Sequence, residues 1–158
     1  MKLYYIDDDY IMYLRKFENK IIYNTKTISS QKRIYTGVVF SIYDITYFAP
    51  LTSPKPNKPL MKKLIYNINN GELGHILLNN MIPCLQSNIS LINFKSIKDI
   101  KYRNLLDNQY RSILSNEQII IHKANKIYKN AVVNEIEIYK KYCCDFKKLE
   151  EVYKNYQK

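Results

Sequence analysis

Tyr47-Phe48-Ala49-Pro50-Leu51-Thr52-Ser53-Pro54-Lys55 joins an apolar, strand-forming run to a proline-stiffened turn carrying two hydroxyls and an ammonium. Thr46 to Ala49 reads as a strand, as does Tyr35 to Ile42 before it, with a tight turn around Tyr43-Asp44 between them. Four of the five prolines lie between Pro50 and Pro59, so this segment is expected to be irregular. Proline fixes φ and removes a backbone donor, so Pro50 and Pro54 restrict how far Thr52, Ser53 and Lys55 can wander. In a chain of net charge +11, a preorganised cluster of donors is a candidate phosphate site.

Upstream of the hairpin, Lys2 to Ile6 is a short strand candidate. Asp7-Asp8-Asp9 can cap a helix from about Tyr10 to Asn19, in which Ile11, Leu14 and Phe17 recur at helical spacing. Ile21 to Gln31 lacks a clear period and reads as a loop. Downstream, short apolar runs (Leu64 to Ile68, Ile76 to Leu78, Met81 to Leu85, Ile89 to Phe94) alternate with turn chemistry at Asn69-Asn70-Gly71, Asn79-Asn80 and Gln86-Ser87-Asn88. Spacings this short suit antiparallel pairing, since a parallel crossover needs a dozen or more residues. The period then changes. Leu106, Tyr110, Ile113, Ile120, Ala124, Ile127 and Ala131 form a helical stripe interrupted only by Glu117, and a last amphipathic helix begins near Asp145. Strands first and helices last, in 158 residues without a visible linker, predict one α+β domain over residues 1–158.

The charge is unevenly spread. Residues 1–63 hold 11 basic and 5 acidic side chains, residues 64–94 hold one acid and no Lys or Arg, and residues 95–158 hold 14 basic and 8 acidic. Two basic blocks around a neutral middle favour a polyanionic partner, and 16 tyrosines make single-stranded RNA a natural candidate. Lys-rich solubility is the alternative that composition alone leaves open. Cys84, Cys143 and Cys144 show no metal-ligand spacing and fit a reducing compartment. No apolar run approaches the roughly 18 residues of a membrane span, and no signal peptide opens the chain, so a cytoplasmic location away from membranes is expected.

Lys2-Leu3-Tyr4-Tyr5-Ile6 with Tyr10-Ile11-Met12-Tyr13-Leu14, then Lys32-Arg33-Ile34-Tyr35-Thr36-Gly37-Val38-Val39, then the Ala49 to Lys55 run, resemble the ToxN/AbiQ/CptN family of endoribonuclease toxins. The likeness resumes at Met81-Ile82-Pro83, Leu105 to Tyr110 and Cys144 to Glu150, in the family's order; Ala-Pro-Leu-Thr-Ser-Pro-Lys is its most specific piece. The resemblance implies a twisted antiparallel sheet packed with helices, related to MazF/Kid-type toxins. It implies metal-independent RNA cleavage leaving a 2′,3′-cyclic phosphate and a 5′-hydroxyl, with no cofactor. Its partners would be a small repetitive pseudoknot RNA antitoxin and cellular or phage RNA as substrate. Protein and antitoxin would close into a ring, commonly triangular, serving phage defence or plasmid maintenance. By position, the family's catalytic Thr and Ser fall on Thr52 and Ser53, and its following lysine on Lys55. A further family lysine falls on Arg33, with Lys32 beside it, which leaves open which cation faces the scissile phosphate. A proton-donating Lys could not simply become Arg.

Metal-free scission needs the 2′-oxygen in line with the leaving 5′-oxygen, stabilised phosphorane charge, and proton transfer. Thr52 and Ser53 can donate to a non-bridging oxygen or orient the 2′-hydroxyl, while Lys55 and Arg33 can neutralise growing charge. Tyr35 and Tyr47 are candidate base-stacking rings, although strand aromatics are more often packing. Lys58, Lys62 and Lys63 extend the basic surface past the turn as candidate phosphate contacts or as a solvated run. Other constellations are weaker. Asp7-Asp8-Asp9 points its side chains in different directions and caps a helix better than it holds a metal. His75 and His122, 47 positions apart, would have to be assumed together to act as a pair. The competing function is a non-catalytic RNA-binding protein that sequesters its partner; a phage or plasmid structural protein is a third.

Overall fold

A computed structural model describes residues 1–24, 33–42, 45–54 and 59–157. Its strands are β1 (Leu3–Ile6), β2 (Tyr35–Ile42), β3 (Ile45–Thr52), β4 (Tyr66–Asn67), β5 (His75–Ile76), β6 (Ile82–Pro83) and β7 (Ile89–Leu91). Its α-helices are α1 (Asp8–Arg15), α2 (Pro59–Leu64), α3 (Ile100–Ser115), α4 (Glu117–Val132), α5 (Glu137–Tyr142) and α6 (Phe146–Val152). The strands form one sheet in the order β4-β5-β3-β2-β1-β7, with β6 also on β3. Every strand pair among the described residues is antiparallel, as the short spacings predict. The expected loop over Ile21 to Gln31 lies largely outside the described residues, and the turn at Tyr43-Asp44 lies wholly outside them.

The strand β3 corrects the sequence reading. It does not stop at Ala49 but runs through Pro50 and Leu51 to Thr52. Proline is tolerated because of where β3 changes partners. On one edge β6 lies opposite Tyr47 and Phe48, then gives way to β5 opposite Leu51 and Thr52. The Pro50 carbonyl accepts from the Leu77 N–H (3.0 Å) on that edge, so the missing Pro50 donor also faces the seam between the two short strands. On the other edge the Leu51 N–H still donates to the Ile34 carbonyl at 2.8 Å.

Residues Tyr47 to Leu51 are all buried, which makes β3 a central strand covered on both faces. One face carries Tyr47, whose ring centroid lies 5.9 Å from those of Tyr128 on α4 and Phe146 on α6. The other carries Phe48, edge-on to Tyr4 at 5.3 Å. Tyr47 and Tyr128 both donate to Oε1 of Glu150, at 2.7 and 2.6 Å, which ties α4 and α6 to the sheet. Thr52 is only half-buried and Ser53 is exposed, so β3 delivers the hydroxyl pair where it leaves the core.

Helix boundaries follow local chemistry. Asp7 caps α1, its carboxylate accepting from the Asp9 N–H at 3.0 Å, so at least this member of the acidic triplet does the expected capping. The helix ends at Arg15, sooner than expected, and Phe17 beyond it is 42% exposed rather than core. The long stripe is two helices. Asn116 (φ −118°, ψ 17°) ends α3, and Glu117 opens α4, where an acid suits the positive helix start. Leu106, Ile113, Ile120, Ala124 and Ile127 are buried across that break, so the stripe survives although the helix does not. Asp145 caps α6 through the Lys148 N–H at 3.0 Å, and the segment tightens into a 3₁₀ turn at Tyr153–Asn155. The described cysteines are buried free thiols. Among the described residues no helix is long and apolar enough to cross a membrane.

Candidate active site

Thr52 ends β3 directly opposite His75 of β5, and His75 in turn lies opposite Asn67 of β4. Directly opposed residues project from the same face of a sheet, so Asn67, His75 and Thr52 form a row across three strands. His75 is 3% exposed, and its Nδ1 lies 3.0 Å from Asn67 Oδ1. The connection between β4 and β5 is shaped by residues that tolerate positive φ: Asn69 (46°), Asn70 (56°), Gly71 (99°) and Gly74 (101°). That confirms the turn chemistry read at Asn69-Asn70-Gly71. The connection is braced from α3, where the buried Gln109 Nε2 donates to the Leu73 carbonyl at 2.6 Å.

Arg33 reaches the same place from the other side of β3. Its Nη1 donates to the Leu51 carbonyl at 3.3 Å and its Nε to the Tyr23 carbonyl at 3.1 Å. The guanidinium is therefore held one residue from Thr52 by two backbone acceptors. Burial lowers its pKa from the ordinary value, an effect opposed by neighbouring Tyr35. An arginine tolerates that shift and remains cationic at neutral pH. The structure thus brings Arg33, Thr52 and Ser53 together.

Of the two readings open for Tyr35 and Tyr47, packing holds and base stacking fails. Tyr35 is 1% exposed and Tyr47 is fully buried, so neither ring offers a face to a base. Both serve the core, and burial raises both phenols well above their ordinary pKa; the Glu150 hydrogen bond raises Tyr47 further. Lys62 and Lys63 stand exposed on the last turn of α2. That helix is held from α4, where Lys123 Nζ donates to the Lys62 carbonyl at 2.9 Å. Lys32, Lys55 and Lys58 lie outside the described residues.

His75 is what sequence reasoning passed over. His122, the other histidine, is exposed on α4. A signal was present: two of the three glycines, Gly71 and Gly74, lie within four residues of His75. Both take positive φ, so the backbone turns tightly just before His75.

A basic α+β chain that presents two hydroxyls beside a restrained guanidinium has the equipment of an enzyme acting on phosphodiesters. The chain belongs to the ToxN family of type III toxin–antitoxin systems: the family model, described as Toxin ToxN, type III toxin-antitoxin system, matches residues 2–154. It is 34% identical to the endoribonuclease AbiQ of Lactococcus lactis subsp. lactis over 95% of this chain and 86% of the relative. It is 33% identical to the endoribonuclease ToxN of Bacillus thuringiensis subsp. kurstaki, over 99% of this chain and 84% of the relative. A solved chain from work on selective toxin inhibition by a non-coding RNA pseudoknot superposes with a TM-score of 0.85 at 32% identity, covering 98% of this chain and 96% of that one. The structure of AbiQ, a lactococcal anti-phage endoribonuclease, superposes with a TM-score of 0.83 at 30% identity and the same coverage.

Proposed function

We propose that this endoribonuclease toxin cuts RNA where β3 leaves the core, by metal-independent transesterification at Thr52, Ser53 and Arg33 with Lys55. The substrate's own 2′-oxygen attacks the adjacent phosphorus while the bond to the 5′-oxygen breaks. One proton leaves the 2′-hydroxyl and one reaches the departing 5′-oxygen, so the products are a 2′,3′-cyclic phosphate and a 5′-hydroxyl. Thr52 and Ser53 donate to the non-bridging oxygens or align the nucleophile. Arg33 and Lys55 balance the charge that accumulates on the phosphorane, an electrostatic contribution that is strongest in a fixed array.

The observation that carries this reading is the Arg33 guanidinium on the Leu51 carbonyl, which fixes a cation one residue from the hydroxyl pair. Exposed Lys62 and Lys63 lie on the helix that follows the turn and supply phosphate contacts along the RNA. The inhibitor is a small repetitive RNA folded as a pseudoknot, and toxin and RNA close into a ring, commonly triangular. Cellular or phage transcripts are the targets, and the protein acts on them in the cytoplasm, as a single catalytic domain, in phage defence or plasmid maintenance.

The test is cleavage of a defined RNA by purified protein in EDTA, with both fragment ends identified. Cyclic phosphate and 5′-hydroxyl ends are expected. Activity that disappears on chelation, or 5′-phosphate products, would overturn the mechanism. Binding without cleavage would support the sequestering protein instead.

A further inference from the structure

We propose that His75 is a positioning residue for Thr52, and that its hydrogen bond to Asn67 sets the ring for that task; this rests on Thr52 being catalytic. The first ground is the row of opposed residues. Asn67, His75 and Thr52 are successive direct partners across β4, β5 and β3, so the imidazole stands between the amide and the threonine on one face of the sheet. The second is orientation. Asn67 Oδ1 can only accept, so the ring nitrogen 3.0 Å away, Nδ1, carries the hydrogen, and that bond fixes both tautomer and ring plane.

The third ground is the amount of structure devoted to holding the ring. A Cβ at Gly71 would stand 3.3 Å from His75 Cε1, so the loop closes directly onto the imidazole. Gly74 is pressed against the Thr52 carbonyl, and Gln109 fixes the loop between them from α3. A buried space filler would need none of this directional restraint. An oriented imidazole beside Thr52 restricts the branched side chain and holds its hydroxyl in one direction, which is what alignment of a reacting phosphate demands.

The experiment compares steady-state RNA cleavage by the full chain carrying Thr52→Ala, His75→Phe, Asn67→Ala, or the last two together. His75→Phe keeps a ring and removes the Nδ1 donor; Asn67→Ala keeps the imidazole and removes its partner. Misplacement of a catalytic group costs on the order of 10²-fold, so His75→Phe should lose about that much in kcat with KM almost unchanged. Asn67→Ala should lose less, and the double variant should be no slower than His75→Phe alone, the signature of two residues acting through one contact. Should His75→Phe misfold, Asn67→Ala decides: reduced kcat at unchanged melting temperature supports the proposal. Wild-type kcat in Asn67→Ala and any folded His75→Phe, with Thr52→Ala inactive, overturns the positioning role alone. Full activity in Thr52→Ala overturns the site and this inference together.

Discussion

Gly74 and Thr52 approach so closely that a Cβ on Gly74 would lie 2.1 Å from the Thr52 carbonyl oxygen. The φ of Gly74 is also positive, at 101°, where a side chain is strained in any case. Gly74→Ala must therefore push the β5 connection away from the end of β3. Strain of this kind costs on the order of 1–3 kcal/mol before the clash is counted. An unfolding free energy from urea titration that falls by at least that amount is expected, and a variant as stable as the parent would show that the contact is dispensable.

Thr52→Ala and Ser53→Ala should separate activity from stability. Loss of one donor to a developing oxyanion typically lowers the rate about 10²- to 10³-fold. Because Thr52 is half-buried and Ser53 exposed, their truncation should move stability by only about 0.5 kcal/mol. Rate and thermal melting measured on the same preparations test both halves.

Arg33 offers a comparison between charge and geometry. Its fork reaches the Leu51 and Tyr23 carbonyls together, which a single ammonium cannot reproduce. Arg33→Ala should fall by a factor similar to the hydroxyl variants, and Arg33→Lys should recover only part of the loss. Complete recovery in the lysine variant would mean that charge alone matters there.

Glu150 accepts from two tyrosines through one oxygen, and its removal takes the shared acceptor from both Tyr47 and Tyr128. Hydrogen bonds to a charged group contribute about 1.5–3 kcal/mol each. Glu150→Ala should therefore lower the melting temperature far more than substitution of exposed Glu151 next to it, and calorimetry of the pair reads the difference.

Alkaline pH should unfold the protein through its buried acids. Burial pushes the Cys143 thiol from 9.0 to about 12, against a smaller opposing effect of Lys20, and raises Tyr10, Tyr35 and Tyr47. With the folded pKa above the unfolded one, the unfolded chain loses its proton first. Stability is thus complete below about 9 and declines as pH climbs through the interval to about 12. Urea midpoints should fall across that interval while tyrosinate absorbance rises with unfolding; a flat profile would contradict the burial of these groups.

Much of this architecture is readable from residue order. Asp7 and Asp145 announce their helices, Asn69-Asn70-Gly71 its turn, and the stripe from Leu106 to Ala131 its buried face, because each is decided by neighbours within a few positions. Thr52, Ser53 and Arg33 are legible as candidates through residue type and motif. What could not be read depends on distant partners. Pro50 inside β3 is acceptable only because β5 and β6 divide that edge. Tyr35 and Tyr47 lie on opposite faces of the sheet, so the burial of both depends on distant segments covering both sides. The break at Asn116 leaves the apolar period almost intact and so leaves little trace. Gly71 and Gly74 leave a local trace beside His75, but its place opposite Thr52 and Asn67 emerges only from strand register.

Pro50 also acts as a stop against slippage. If β6 slid along β3 toward Thr52, or β5 slid back toward Phe48, the invading strand would meet a residue with no hydrogen to offer. Each short neighbour is thereby confined to its own half of the edge. The threonine at the strand's end keeps the same companion, even though only two residues of β5 pair there.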